Sequence, residues 1–264
     1  PTSLGGYPVV AIKDLAFSGN KNITSVVISD DIIVGNMAFE CMPNLTTVTI
    51  GNNVTLGNDV FADCTAFEKL IFTDTVTAIP DNYFTGNTTI KEVVFGNKVE
   101  AIGVAAFQKC SALKKVIIPE NVNTIGELAF NQCSSLETAI IEGATTIGAE
   151  AFEACANLYT VEIGDKTEII CTEAFIGCGA LSELTLGKNM KTIEEGAFVN
   201  TNNLQAVHFP EGLLTIGDNA FMMSGIQTVI IPDSVETIGN AAFGSYNIKY
   251  AQLGKGLKSV GTYA

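Results

Sequence analysis

The chain has 264 residues, of which 47% are hydrophobic and 8% aromatic, and it contains no tryptophan. That apolar content excludes a disordered or low-complexity chain. Fourteen basic against 28 acidic residues give a net charge of −14, which disfavours a nucleic-acid partner because phosphate binding requires a basic surface. The longest apolar stretches are only a few residues, as at 116–118, whereas a membrane-spanning helix needs ~20.

From the amino terminus onward, one phenylalanine recurs every 22 or 23 residues. These residues are Phe17, Phe39, Phe61, Phe84, Phe107, Phe130, Phe152, Phe175, Phe198, Phe221 and Phe243. A fixed period of this length is the signature of repeat architectures. The sequence therefore predicts eleven copies of one structural unit.

The residues before each phenylalanine repeat as well. An aliphatic residue usually stands five positions before it and alanine directly before it. Glycine stands four positions before it in seven units, at Gly35, Gly57, Gly103, Gly126, Gly148, Gly217 and Gly239. The other four units have Lys13, Pro80, Cys171 and Glu194 there. This glycine column predicts either a positive φ or a crowded backbone.

After each phenylalanine comes a small or polar turn and then an alternating segment, as at 45–50 and 204–209. Alternation with β-branched residues is typical of a strand. Gly or Pro often closes the segment, as at Gly51 and Pro119, where a ladder must end. We therefore predict one short strand per repeat.

The segment leading into each phenylalanine, such as 124–133, is too short for a stable isolated helix of ~12–15 residues. We predict a single helical or 3₁₀ turn there. Such a unit buries little by itself, but stacked copies form a continuous core. The predicted fold is an α/β-type repeat solenoid with one short parallel strand and one short helical or 3₁₀ turn per repeat.

The recurring pattern is clearest in 113–130, which contains a strand, an Ile-Gly pair and an Ala-Phe pair. This pattern resembles the BspA-like class of leucine-rich repeats over essentially the whole chain. The resemblance implies a leucine-rich-repeat right-handed superhelix. It also implies a cell-surface or secreted protein of anaerobic bacteria or parasitic protists, involved in adhesion to host components or to other microbes.

The last residues, 259–264, match the lead-in to another phenylalanine. A solenoid needs atypical capping repeats at its ends, and the sequence has none recognisable at its carboxyl end. We expect residues 1–264 to form a single solenoid of eleven repeats that is a fragment of a longer chain.

Six of the seven cysteines follow a repeat phenylalanine by two or three residues: Cys41, Cys64, Cys110, Cys133, Cys155 and Cys178. Sulfurs in consecutive units could form a disulfide or bind a metal. Asn20, Asn87, Thr201 and Ser224 occupy comparable positions elsewhere, which favours a small inward residue that fills a turn. The sequence assigns no role to Cys171.

No motif for catalysis or cofactor binding is present. The single histidine, His208, has no nucleophile signature near it, and we predict a solvent-exposed bystander. Zinc is disfavoured because no Cys-x-x-C pair occurs, and isolated acidic pairs such as 30–31 and 194–195 lack the ligands that calcium needs. Four N-x-[ST] sequons, at Asn22, Asn44, Asn53 and Asn87, are more readily explained as turn residues. We predict no enzyme, metal or cofactor.

The outward positions of the predicted strands form one row along the solenoid. Four consecutive units place aliphatic residues in that row: Ile71, Val94, Ile117 and Ile140. They are flanked by Lys69, Glu92, Lys115 and Thr138. An apolar stripe with a charged border marks an interaction site, although β-branched residues are favoured on any pleated surface.

These observations leave three hypotheses. The first is a non-enzymatic recognition module whose sheet face binds a protein or glycan. The second is a structural stalk that displays other domains and has no ligand of its own. The third and weakest is a hydrolase, which requires a polar pocket that regular repeats do not indicate. The sequence leaves the ligand and the oligomeric state open.

Overall fold

The computed structural model describes residues 3–4, 7–245 and 247–264, which form a parallel β-solenoid of about eleven turns. Most repeats contribute one longer strand of three or four residues, one two-residue strand and a turn that contains the repeat phenylalanine. Equivalent strands of successive repeats lie side by side and are hydrogen-bonded in parallel. The solenoid architecture predicted from the 22- to 23-residue period is therefore confirmed.

The strands are, in chain order, β1 (Ser3–Leu4), β2 (Tyr7–Pro8), β3 (Ala11–Ile12), β4 (Ser25–Ile28), β5 (Ile33–Val34), β6 (Thr47–Ile50), β7 (Thr55–Leu56), β8 (Lys69–Phe72), β9 (Ala78–Ile79), β10 (Glu92–Val94), β11 (Ala101–Ile102), β12 (Lys115–Ile118), β13 (Thr124–Ile125), β14 (Thr138–Ile141), β15 (Thr146–Ile147), β16 (Thr160–Ile163), β17 (Ile169–Ile170), β18 (Glu183–Thr185), β19 (Thr192–Ile193), β20 (Thr215–Ile216), β21 (Thr228–Ile230), β22 (Thr237–Ile238), β23 (Tyr250–Gln252) and β24 (Ser259–Val260).

The longer strands form what we call the first sheet, in the order β4, β6, β8, β10, β12, β14, β16 and β18. The two-residue strands form the second sheet, in the order β9, β11, β13, β15, β17, β19, β20, β22 and β24. Strands β3, β5 and β7 make a small sheet of the same kind at the amino-terminal side, and β21 pairs with β23. Strands β1 and β2 pair antiparallel.

The prediction of one strand per repeat is wrong, because most repeats have two. The second strand contains the aliphatic residue that directly precedes the glycine column. In β13 and β15, for example, Ile125 pairs with Ile147 in parallel. These two-residue strands are short, but most are bonded to equivalents on both sides, although β7 and β9 are not paired with each other. Stacking therefore stabilises a ladder that no single repeat would form.

The predicted helical or 3₁₀ turn is also wrong, since none is present in the residues that the structure describes. The residues two before and two after each repeat phenylalanine tend to be left-handed, as at Leu128 (φ 58°) and Gln132 (φ 57°). Left-handed residues at such close intervals interrupt a run of helical hydrogen bonds. The N–H groups of Leu128, Phe130 and Gln132 instead donate to carbonyls of the next repeat at 2.7–3.0 Å. We call this the turn ladder.

The repeat phenylalanines stack along the interior. Neighbouring rings lie parallel within 18°, with centroids 5.1–6.4 Å apart. From Phe107 to Phe221 every repeat phenylalanine is fully buried. Inward residues of both sheets pack around this stack as one continuous core.

Crowding explains the glycine column. A Cβ at Gly148 would lie 2.6 Å from the carbonyl oxygen of Ile125 and 2.7 Å from the carbonyl carbon of Gly126. Gly126, Gly217 and Gly239 meet the backbone of the preceding repeat in the same way, and none of them has a positive φ. Of the two reasons predicted for this column, close backbone approach is the correct one.

The first sheet opens at two places. The first opening is between β10 and β12, where only Glu92 and Lys115 are in register. The second is at 204–209, where the predicted strand is wrong because the segment makes only a bridge from Ala206 to Thr228. Each opening adjoins a phenylalanine at the last inward strand position, Phe95 or Phe209. Phe72 occupies the same position in β8, yet β6 and β8 pair at all four residues, so a phenylalanine there does not by itself open the sheet.

Candidate functional site

The structure brings the predicted apolar stripe together on the outer face of the first sheet. Val94 pairs in register with Ile71, and Ile117 with Ile140. Val94 is 37% exposed and Ile117 44% exposed, whereas Ile71 and Ile140 are half-buried. The opening between β10 and β12 lies in the middle of this stripe. The predicted row is therefore continuous in position but not in backbone pairing.

Polar residues end the stripe on both sides. In the same row, Thr49 pairs with Ile71 at one end and Glu162 pairs with Ile140 at the other. At strand spacing of ~4.8 Å, four residues cover about 14 Å along the axis. Isolated exposed aliphatic residues are common on proteins, whereas a bounded row of adjacent ones is a better candidate for contact with a partner.

Two charged rows run beside the stripe, and the structure places the predicted border residues there. Lys69 Nζ lies 2.8 Å from Glu92 Oε1, and Lys91 Nζ lies 2.6 Å from Glu68 Oε1. These exposed pairs contribute little stability, typically 0–1 kcal/mol. They do, however, neutralise the charge beside Ile71 and Val94.

The charge beside Ile117 is not neutralised. Lys114 and Lys115 are exposed, and within the described part of the chain neither forms an ion pair or a side-chain hydrogen bond. Lys115 has Glu92 as its register partner on one side, but Glu92 is held by Lys69, and Thr138 is uncharged on the other side. Two unpaired cations therefore border the most exposed member of the stripe.

The other residues that the sequence singled out do not form a site. His208 is exposed in the segment that leaves the first sheet. Asp30 accepts hydrogen bonds from the N–H of Asn52 and the hydroxyl of Thr75, and Glu194 accepts from Thr172. These acidic groups bind neighbouring repeats of the chain itself.

The cysteine column lies inside the solenoid with one exception. Five members of the column are buried: Cys64, Cys110, Cys133, Cys155 and Cys178. Each thiol donates a hydrogen bond to the carbonyl of the phenylalanine in the preceding repeat, as Cys133 does to Phe107. Burial raises the pKa of Cys133 and of Cys178 to about 12. The small inward role predicted for this column is therefore confirmed for these five residues.

Cys41 is the exception, and its assignment to the column is wrong. It follows its phenylalanine by two residues rather than three, has φ 54° and is exposed. Cys41, Glu40 and Asp63 have potential ligand atoms within 4.8 Å of one another. Desolvation and the nearby carboxylates of Glu40 and Asp63 raise the pKa of the Cys41 thiol, so it is a poor metal ligand near neutral pH.

Sequence reasoning missed a cleft on the turn side, between the repeats of Phe61 and Phe84. The cleft has a volume of about 630 Å³. Its lining includes Asn58, Asp59, Asp63, Asn82, Thr85 and Asn87. Of the ten interfaces between repeat phenylalanines, nine have three turn-ladder hydrogen bonds, but in the described residues this one has none.

Two substitutions in the repeat pattern account for the cleft. Pro80 stands in the glycine column and has no N–H to donate to the preceding repeat. Tyr83 stands where most repeats have alanine, and its hydroxyl donates to the Val54 carbonyl at 2.7 Å. The Phe61 and Phe84 rings are accordingly the widest-spaced stacked pair, at 6.4 Å. These two departures were the sequence signal that could have located the cleft.

Among the described residues, we find no apolar helix with the length that a membrane span requires.

Comparison with known proteins agrees with this geometry. A family model described as BspA type leucine rich repeat region, with six copies of the repeat, matches residues 10–137, 54–181 and 145–264. No curated protein matches the sequence.

Several solved structures are similar to the chain. A leucine-rich repeat protein from Eubacterium ventriosum is 19% identical with a TM-score of 0.59, over 83% of this chain and 82% of that one. A leucine-rich repeat protein from Bacteroides ovatus is 23% identical with a TM-score of 0.57, over 98% and 68%. The pneumococcal vaccine antigen PcpA is 19% identical with a TM-score of 0.50, over 97% and 72%. At these identities the likeness concerns the fold alone.

Proposed function

Because the chain belongs to the BspA-type leucine-rich repeat family, a general scaffold for protein interaction, we propose that it is a non-enzymatic recognition module. The proposed binding surface is the stripe of Ile71, Val94, Ile117 and Ile140 with its charged border. The observation that carries the proposal is a bounded row of adjacent aliphatic residues, two exposed and two half-buried, beside two unpaired lysines. Proteins of this family and fold are typically not enzymes.

The stripe fits a protein partner better than a glycan. Its aliphatic side chains offer no hydrogen bonds, so sugar hydroxyls placed on it would lose their bonds to water without replacement. A protein partner can cover the row with its own apolar side chains, which stabilises the complex by about 25 cal/mol per Å² of apolar area removed from water.

The border residues specify the charge of that partner. Lys114 and Lys115 are unpaired cations on a chain whose net charge is −14. An acidic group that lies against them gains two local partners, whereas a basic group is attracted only by the distant net charge, which salt screens. We expect the partner to present Asp or Glu side chains around an apolar centre.

A location at the cell surface or outside the cell, with a role in adhesion or host interaction, is part of the proposal. It rests on the family resemblance. A partner among host matrix proteins or the surface proteins of other microbes would fit this location.

The test is a solution binding screen against arrayed host matrix proteins, serum proteins and glycans. We expect saturable binding to a protein, abolished by Ile117→Lys with Ile140→Lys. The matched control is Thr185→Lys with Gln252→Lys, which adds the same charge to exposed positions of the same outward row outside the stripe. The control variant should bind like the unmodified chain.

Three outcomes contradict the proposal. If no partner is bound, the chain is better explained as a structural stalk that displays other domains. If both double variants bind equally well, binding occurs elsewhere on the solenoid. Turnover of a substrate by the isolated chain would instead support an enzyme.

A further inference from the structure

The cleft between the repeats of Phe61 and Phe84 carries a second, separate inference. Across the other interfaces, N–H groups of one turn ladder donate to carbonyls of the next repeat. The bonds from Met37, Phe39 and Cys41 to Asn58, Val60 and Ala62 are the nearest example, at 2.8–3.0 Å. At the cleft the equivalent donors are the N–H groups of Asp59, Phe61 and Asp63. None of them has a hydrogen-bond partner among the described residues.

The opposite wall has matching acceptors. By the same register, the carbonyls of Asp81, Tyr83 and Thr85 would accept from those three N–H groups, and in the described residues they do not. The cleft therefore has a row of donors on one wall and a row of acceptors on the other. Backbone groups left without partners cost free energy unless water or a ligand satisfies them.

The first sheet limits what can enter. At this interface β6 and β8 are paired at all four residues, so the repeats are in contact on that side and separate toward the turns. The Phe61 and Phe84 rings are 6.4 Å apart, against 5.1 Å for the closest pairs. A polypeptide strand inserted between two repeats would need about twice the ~4.8 Å strand spacing. At the depth of the rings, where the spacing is 6.4 Å, neither a strand nor a whole sugar ring therefore fits, and a ligand can place only single groups such as hydroxyls between the walls.

A hydroxyl group suits the two walls because it both accepts and donates. It can accept from an N–H on one wall and donate to a carbonyl on the other. A saccharide presents several hydroxyls in a row, and the cleft volume lies in the range of small-ligand sites. The exposed carboxylates of Asp59 and Asp63 at the same wall disfavour an anionic sugar.

We infer that this cleft is a binding site for a short neutral oligosaccharide, held by the main-chain groups of residues 59–63 and 81–85. The site is on the turn side and is independent of the stripe on the first sheet. Water can also bridge the two walls, so the experiment must separate a saccharide from solvent.

The probes are maltotetraose, cellotetraose and chitotetraose, with sialyllactose as an anionic comparison. Each is titrated into the isotopically labelled chain, and the amide resonances of Asp59, Phe61 and Asp63 are followed by NMR. We expect one neutral tetrasaccharide to shift these amides saturably and to slow their hydrogen exchange. The same titration should not shift the amides of Met37 and Phe39, which are already bonded to the next repeat.

A variant that closes the cleft provides the control. Pro80→Gly with Tyr83→Ala makes residues 80–84 identical to 217–221, where the turn ladder is complete with bonds of 2.7–3.0 Å. We expect this variant to bond Asp59, Phe61 and Asp63 to the next repeat and to lose the saccharide shifts. Ile117→Lys with Ile140→Lys should keep them, which separates this site from the proposed partner surface.

The inference is overturned if no neutral tetrasaccharide shifts the three amides, because the cleft then holds water only. It is also overturned if the shifts persist in a closed variant whose amides are shown by hydrogen exchange to be bonded. Hydrogen exchange of the unmodified chain, with and without each saccharide, provides a readout that requires no variant to fold.

Discussion

The turn side and the first sheet of this solenoid are interrupted at different repeats. Where the first sheet opens, at β10/β12 and after β18, the phenylalanine stack stays tight, with Phe107–Phe130 at 5.3 Å and Phe198–Phe221 at 5.1 Å. Where the turn ladder opens, between Phe61 and Phe84, the first sheet stays fully paired. At each interface, therefore, the two repeats stay in contact on at least one side, through either the first sheet or the phenylalanine stack. The sequence on the other side can then differ from the repeat pattern without separating the repeats.

The two sides also differ in what their residues contribute. The turn side combines a buried aromatic stack, a glycine column in contact with the neighbouring backbone and a nearly complete ladder of main-chain hydrogen bonds. The outer face of the first sheet has mixed side chains whose contacts are exposed ion pairs and hydrogen bonds, such as Lys69–Glu92 and Thr160–Glu183. We infer that the turn side stabilises the fold and that the outer face is available for recognition. Four predictions test this comparison.

The largest effect should come from the centre of the phenylalanine stack. Phe152 is fully buried between Phe130 and Phe175, at centroid distances of 5.2 and 5.1 Å. Phe152→Ala should lower the free energy of unfolding by about 3–5 kcal/mol because it removes this packing and leaves a cavity. Urea unfolding measures the change. The end residue Phe17 is 40% exposed, so Phe17→Ala should lower the free energy of unfolding clearly less. An equal decrease in the two variants would contradict a cooperative stack.

The next effect concerns the glycine column. A Cβ added at Gly148 lies 2.6–2.8 Å from backbone atoms of Ile125, Gly126 and Glu127, which cannot move independently. Gly148→Ala should therefore destabilise the fold by about 1–3 kcal/mol, as overpacking does. Gly179→Ala is the matched control, since its Cβ would meet only the Asn200 carbonyl at 3.9 Å. Thermal unfolding of the two variants should separate them, and equal melting temperatures would argue against crowding.

The third prediction concerns pH. Burial raises the Cys133 pKa from 9.0 to about 12, so the folded chain keeps a proton that the unfolded chain loses above pH 9. The resulting stability is fully present below pH 9 and is lost as the pH rises through about 12. Between these values, Cys133→Ala should make the fall in unfolding free energy less steep by up to about 1.4 kcal/mol per pH unit. Identical pH profiles for the variant and the unmodified chain would show that this thiol is not held neutral.

The smallest effect on stability should come from the border of the stripe. Lys114→Glu with Lys115→Glu breaks no ion pair, so we expect the unfolding free energy to change by less than about 0.5 kcal/mol. Affinity for the partner should fall, and the loss should shrink as salt increases. Lys13→Glu with Lys21→Glu makes the same charge change at exposed positions in the first repeat. An equal loss of affinity in both variants would attribute the effect to net charge.

The sequence predicted the repeating architecture, but it missed the second strand and the turn conformation that the repeats share, as well as the cleft that one interface has alone. The spacing of the phenylalanines gave the solenoid, and the outward row that includes Val94 and Ile117 was placed correctly. The turn conformation was missed because left-handed residues such as Leu128 and Glu150 are not glycines and carry no composition signal. Their strain is offset by hydrogen bonds to the next repeat, a stabilisation that exists only after stacking.

The cleft was missed for a related reason. Pro80 and Tyr83 each look like a tolerable departure from the pattern, and only the structure reveals that together they remove a whole set of ladder bonds. The opening at 204–209 was missed because its alternation is as regular as that of the other strands.

The most direct test of the account measures folding and binding on the same variant, Ile117→Lys with Ile140→Lys. Lys side chains can lie along the sheet with their charges in water, so the outer face should accept them. We predict a urea midpoint equal to that of the unmodified chain, together with loss of the partner found in the binding screen. A lowered midpoint, or retained binding with normal folding, would contradict the assignment of recognition to this face.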